Sequence, residues 1–349
     1  MTDLDQRITS TLRERAEGQV DIDRLTSRAV AQGRARRVRR RATLGGTAFG
    51  VAAVLGLGVA GGGALPVEVP WTAAKPAAPV AAPAPAAGVP NALARPDLVG
   101  TDPSLLHFGV DPARARYLSW QSALDLESAQ LDLGGAAPVR FNLARSAEVA
   151  EELDAEGAAH IPEPATPPFD GQVVRVPRGG ADSDWILRWQ PAPGLFARLH
   201  TVAPNGGALQ AARNALRFDA AYRCGGPLRL SALPEGARIT NCGVWVERFP
   251  AGFNVSLVVI GSGDKLLKVD LQYAKSIVGA RTDGNRMIGD RPAFVAEGGL
   301  NEMELLGFPK AHLTAIFGWP TVGGSTEADA ATVLGGAQVA EHLDQPETW

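Results

Sequence analysis

From Ala42 to Leu65 the chain runs for 24 positions without a charged residue, and no other feature constrains its architecture as strongly. An α-helix rises about 1.5 Å per residue, so such a stretch spans roughly the 30 Å of a bilayer's hydrocarbon. Leu44, Phe49, Val51, Val54, Leu55, Leu57 and Val59 give it apolar surface. Arg34, Arg36, Arg37, Arg39, Arg40 and Arg41 abut its N-terminal side. Positive residues stay cytoplasmic, so this collar predicts a transmembrane helix with residues 1–41 inside and everything after Pro66 outside. The expected location is the cell membrane, single-pass, with an extracytoplasmic C-terminal domain.

Two rival readings of the segment lead to the same exported bulk. The 41 residues ahead of the apolar stretch exceed the short n-region of an ordinary cleavable signal. A twin-arginine export signal stays open, because Arg40-Arg41-Ala42-Thr43-Leu44 partly resembles that motif. No cysteine lies near the segment, which excludes a lipoprotein anchor. The pairs Gly46/Gly50 and Gly58/Gly62 have the spacing that lets two helices pack closely, although a Gly-rich helix shows it by chance.

The net charge of −3 hides a strong polarity. Residues 1–41 hold eleven arginines against six acids, which leaves the remainder near −8. A basic end of this kind suits a membrane-proximal or nucleic-acid-binding arm. The inside-positive orientation accounts for the arginines without nucleic acid.

Ahead of the span, Leu4, Ile8 and Leu12 recur at helical spacing, which predicts a short amphipathic helix. It is either a surface helix flanking the anchor or a docking element, within residues 3–33, for a cytoplasmic protein partner. Residues 66–100 form a Pro/Ala-rich linker, with eight prolines between Pro66 and Pro96. Repeated proline removes backbone donors and favours extended polyproline II, so the expectation is a spacer.

Beyond residue 100 the pattern is globular. Val139–Leu143, Trp185–Trp189, Asn254–Ile260 and Leu267–Tyr273 read as strands, and Gly261-Ser262-Gly263-Asp264 joins the last two as a hairpin. Helices are expected over Ala147–Ala155, Gly207–Tyr222 and Thr326–Leu343, the last opened by a capping signal from Thr326 to Asp329. The layout also looks duplicated. Leu106-x-Phe108-x-x-x-Pro112-x-x-Ala115-Arg116-Tyr117 matches Leu228-x-Leu230-x-x-x-Pro234-x-x-Ala237-Arg238-Ile239 at a constant offset of 122. Gly171, Leu187 and Leu195 match Gly289, Leu305 and Leu313 at 118. The expected fold is α+β: two repeated units of antiparallel sheet, 101–222 and 223–345, each closed by a helix.

The only cysteines, Cys224 and Cys242, lie in the exported part, where two thiols become one disulfide. The chain holds five histidines, His107, His160, His200, His312 and His342. They form no His-x-x-x-His or His-Glu-x-x-His pattern, so no metal site is expected. No Gly-x-Ser-x-Gly elbow is present, and Gly261–Lys265 lacks the spacing of a phosphate loop. Asp182-Ser183-Asp184 reads as an acidic hairpin tip before Trp185 rather than a calcium loop. Trp120, Trp185, Trp189, Trp245 and Trp319 suit core positions on strands better than an open groove. No catalytic residue, cofactor or metal is expected, and the chain reads as a non-enzyme.

The arrangement from Leu4 through Leu65, with its Leu4/Ile8/Leu12 helix and Arg34–Arg41 run, resembles actinobacterial single-pass membrane proteins encoded beside extracytoplasmic-function sigma factors. The His-x-x-x-Cys-x-x-Cys motif of zinc anti-sigma proteins is absent. Leu233-Pro234-Glu235-Gly236 and Leu187-Arg188-Trp189 resemble turns and Trp-bearing strands in the outer domains of sigma-regulatory proteins. Their half-barrel relatives among lipoprotein carriers bind acyl chains or partner proteins. The resemblance implies an exported sensing or interaction domain that relays to a cytoplasmic partner such as a sigma factor. The alternative is a membrane-tethered module binding a lipid or cell-wall glycan, without signalling.

Overall fold

Alternation of apolar and polar side chains makes antiparallel sheet the dominant structure of this protein. Leu267, Val269, Leu271 and Tyr273 are buried, while Lys268, Asp270 and Gln272 between them reach the surface. That is the pattern of a strand with one packed and one wetted face. The computed structural model describes residues 80–349 except 136, 152–167, 179, 279–280, 297–300 and 319–323. The expected amphipathic helix, transmembrane helix and arginine collar lie outside the described residues. Among the described residues, no helix is long and apolar enough to cross a membrane.

The first half of the domain begins with β1 (Leu105–Leu106), β2 (Gly109–Val110), β3 (Arg116–Ala123), β4 (Leu126–Asp132) and β5 (Val139–Ala144). The short helix α1 (Ala147–Glu151) precedes β6 (Asp170–Pro177), β7 (Ser183–Trp189) and β8 (Phe196–Ala203). Helix α2 (Gly207–Ala215) and β9 (Leu216–Arg217) close it. The second half runs through β10 (Tyr222–Arg223), β11 (Leu228–Leu230), β12 (Arg238–Trp245), β13 (Gly252–Ile260) and β14 (Leu266–Ala274). Next come β15 (Arg286–Ile288), β16 (Arg291–Val295), β17 (Asn301–Leu305) and β18 (Ala311–Phe317), then helix α3 (Glu327–Gly335) and β19 (Ala337–Val339).

The two halves share a single sheet of 13 strands, in the order β15-β16-β17-β18-β14-β13-β12-β3-β4-β5-β8-β7-β6. Its seam is the antiparallel pairing of β3 with β12. Outward from that seam, each half lays down three consecutive strands, then the strand before its closing helix, then a return towards the edge. Gln121 lies opposite Gly243 across the seam, and these two are counterparts at the offset of 122. The same offset relates two irregularities in register, between Tyr117 and Ser119 in β3 and between Ile239 and Asn241 in β12. A bulge is a position-specific device that bends and twists a strand. Its recurrence at one offset ties the opening segments of the halves together. The offset of 118 does not carry through to the final strands. Leu195 precedes β8, whereas Leu313 sits inside β18 and pairs with Leu305.

Both closing helices are shorter than expected, for the same reason. Helix α2 stops at Ala215 because Leu216 and Arg217 pair with Val110 and Gly109. Helix α3 stops at Gly335 because Ala337–Val339 pairs with Leu228–Leu230. Inter-strand hydrogen bonds replace helical ones at the turn where the sequence still looks helical. The N-terminus of α3 carries a full capping box: the Thr326 hydroxyl accepts from the Asp329 amide, and the Asp329 carboxylate accepts from the Thr326 amide.

The stretch read as the end of the spacer is part of the fold from Val80 onward. Ala81, Ala86, Ala92 and Val99 are buried, and the Arg223 amide donates to the Ala84 carbonyl at 2.7 Å. Here the small side chains let the backbone lie close to the segment that joins the two halves.

Candidate functional site

The most developed concavity among those described is a cavity of about 270 Å³ beside the joining segment. Its apolar wall comes from Leu105 on β1, Leu228 and Leu230 on β11, Ile239 and Cys242 on β12, and Leu257 on β13. Ser104, Arg223, Arg229, Gly225 and Gly226 complete it. Gly226 has φ +55°, and a Cβ there would come within 3.5 Å of the Trp349 ring. This is a left-handed position at which glycine avoids strain. Two smaller hollows, of about 80 and 70 Å³, lie around Trp245 and Gln272 and around Pro234 and Asp329.

The Cys224 and Cys242 sulfurs stand at bonding distance, 2.13 Å, with their Cα atoms 6.2 Å apart. Sequence reasoning paired these two residues without seeing that Cys242 would form part of a cavity wall. On the other side of the bridge, the Trp120 indole N–H donates to the Cys224 carbonyl at 2.7 Å, which fastens the core of the first half to the start of the second.

The two halves fill matched positions differently where the cavity lies. At the offset of 122, Leu230, Ile239 and Cys242 correspond to Phe108, Tyr117 and Trp120. All three aromatic residues are buried. Tyr117 and Trp120 meet edge-on with centroids 5.4 Å apart, and Phe108 meets Phe141 at 4.8 Å. Burial pushes the Tyr117 hydroxyl far up from its ordinary pKa. Where the first half packs three rings, the second places two aliphatic side chains and a cysteine in the cavity wall.

The remaining singled-out residues are structural in their surroundings. Ser183 and Asp184 are buried within β7 and do not form an exposed hairpin tip. Asp184 bonds Arg178, and His200 Nε2 lies 2.7 Å from its other oxygen. Burial alone would raise the Asp184 carboxyl, but the bonds to Arg178 and His200 outweigh it and hold the group below the usual carboxylate range. For His200, burial pushes the imidazole down, with the charges of Arg198 and Arg140 adding to it against the pull of Asp184. His107 Nδ1 lies 2.6 Å from the buried Glu127 carboxylate, which also accepts from the His107 and Gly100 amides. His312 pairs with Glu304 at 2.6 Å on a partly exposed face. His160 and Trp319 lie outside the described residues, and so do Arg36, Arg37, Arg39, Arg40 and Arg41. Among the described residues, no three of His, Cys, Asp and Glu gather as metal ligands would.

Two features escaped sequence reasoning. The buried charge cluster in which Glu151 receives both Arg188, at 2.5 and 2.9 Å, and Arg198, at 3.1 Å, left no local signal. The cavity did leave one, in the exchange of Phe108 for Leu230 and of Tyr117 for Ile239 within the repeated motif. Comparison of the chain with family models, with curated proteins and with solved structures found no match in any of the three.

Proposed function

We propose that this chain is a single-pass, membrane-anchored envelope protein whose extracytoplasmic domain is a sensing and binding module, with the cavity at Leu228, Ile239 and Leu257 as its receptor site. The observation that carries the reading is the character of that cavity. Its wall is apolar, and its lining includes Ser104 and two arginines but no His, Asp or Glu to act as a base. Such a site suits recognition better than acid–base chemistry. The uncharged run Ala42–Leu65 and the collar Arg36–Arg41 support the anchor and its orientation. A Cys224–Cys242 bridge suits an oxidising compartment.

The test is topological. Cells producing the full-length protein are fractionated, shaved with protease from outside and labelled for free thiols. The protein is expected in the membrane fraction, with the outer domain digested and both thiols blocked until reduction. A cytosolic protein with free Cys224 and Cys242 overturns the reading.

Relay to a cytoplasmic partner such as a sigma factor is a second reading, supported by the helical spacing of Leu4, Ile8 and Leu12. Deleting residues 1–33 is expected to abolish the signalling phenotype while leaving the membrane location intact. A phenotype that survives the deletion refutes the relay.

A further inference from the structure

We infer that the cavity selects a small aromatic anion: a body of one or two fused rings carrying a carboxylate or phosphate. This rests on the reading of the cavity as a receptor site and specifies what enters it. The first half of the molecule shows what a wall of this shape accommodates. There the matched positions carry the buried rings of Phe108, Tyr117 and Trp120, and the smaller Leu230, Ile239 and Cys242 in the cavity wall leave room for a ring. Its volume of about 270 Å³ compares with the roughly 150 Å³ of an apolar cavity that accepts benzene. Two fused rings fit within that volume.

The charge of the lining points to an anion independently of its shape. Arg223 and Arg229 line the cavity and no acidic residue does, in a part of the chain whose overall balance is negative. Both arginines are exposed, and neither is held in a carboxylate pair among the described residues. A guanidinium offers a fork of donors that matches a carboxylate or a phosphate. The ligand's rings would therefore lie on Leu228, Ile239 and Leu257, with its anionic group at the arginines.

The experiment uses the full-length protein in nanodiscs and equilibrium dialysis against three probes: 2-naphthoate, 2-naphthyl phosphate and the neutral isostere 2-naphthamide. The variant carrying Leu230→Phe and Ile239→Tyr, which gives the second half the residues of the first, is the blank that removes partition into the bilayer. Its thermal melt is recorded to show that it is folded. The variant carrying Arg223→Gln and Arg229→Gln changes only exposed side chains. The expected result is that at least one anionic probe binds tenfold or more tightly than the amide. That preference should vanish in the arginine variant, and all binding above background should vanish in the filled one. Which anion wins distinguishes carboxylate from phosphate. Equal binding of all three probes overturns the anion selectivity while leaving the cavity a receptor. No binding above the filled variant overturns the receptor reading, and the inference with it.

Discussion

The two halves of the sheet solve the same packing problem with different residues, and the difference separates scaffold from site. Around β3 the first half fills its interior with Phe108, Tyr117 and Trp120, all buried. Around β12 the second half puts Leu230, Ile239 and Cys242 in the corresponding places and keeps about 270 Å³ open. A hollow forfeits dispersion contacts and apolar burial, so the second half needs another source of stability. The Cys224–Cys242 bridge lies in its wall, as a covalent tie would where packing is thinnest. The second half keeps its rings elsewhere, with Phe249, Phe253, Tyr273 and Trp349 in a run of ring contacts, and adds the disulfide beside the cavity.

The largest test of this contrast is Trp120→Ala. It removes a fully buried ring and its hydrogen bond to the Cys224 carbonyl. A loss of about 4–5 kcal/mol is expected in denaturant unfolding. A loss near 1 kcal/mol would mean that the first half is not ring-supported. Next is Cys224→Ser with Cys242→Ser. For a separation of 18 residues, removing the bridge should cost about 3 kcal/mol in the chain-entropy model. A melting temperature unchanged by reductant would deny the bridge its role.

Glu151→Gln is expected to cost about 2–3 kcal/mol, because it strips the carboxylate from Arg188 and Arg198, both almost fully buried. Urea melts of the variant measure it directly. The reciprocal exchange is milder. Phe108→Leu should destabilise by about 1 kcal/mol, because it opens space in a filled core. Leu230→Phe should be close to neutral in the same assay, because space is already there. Equal penalties for the two would erase the contrast between the halves.

The smallest effect concerns pH. His200 has a lowered pKa in the folded protein, so folding favours its neutral form. Its contribution is complete above the unfolded value of about 6.5 and is lost as pH falls through the lower folded value. Asp184, also lowered, holds its contribution above about 3.9 and loses it in more acidic solution. Stability should therefore decline in two stages on acidification. His200→Gln should flatten the first of these and weaken the second, because His200 is one of the two groups that hold Asp184 low, as followed by thermal melts between pH 7 and 2.

Much of this fold was legible wherever a strand keeps one face wet. Leu267–Tyr273 announced itself by alternation, and the Gly261–Asp264 turn by its glycines, with Gly263 and Asp264 both at positive φ. Helices over Gly207–Tyr222 and Thr326–Leu343 read too long, because β9 and β19 take their order from distant partners and not from local propensity. The expected repeat has matching strands and bulges at its opening motif but not towards its end, where Leu195 and Leu313 occupy different places. Arg188 lies in the expected strand Trp185–Trp189, whereas Arg198 lies in β8, which no sequence pattern marked. Only the return of Glu151 over them reveals that they are buried. The cavity lay half-written in the pairs Phe108/Leu230 and Tyr117/Ile239, but a missing volume has no residue to mark it.

The seam between β3 and β12 has the form of a self-complementary contact: Ser122 faces Cys242, the counterpart of Trp120, and Trp120 faces Val244, the counterpart of Ser122. Two identical chains meeting this way are bound to change together, since any substitution appears on both sides of the axis. Two halves joined in one polypeptide are free of that constraint. One can fill its side of the seam with Trp120 while the other keeps a chamber beside Cys242, a difference closed to a symmetric dimer.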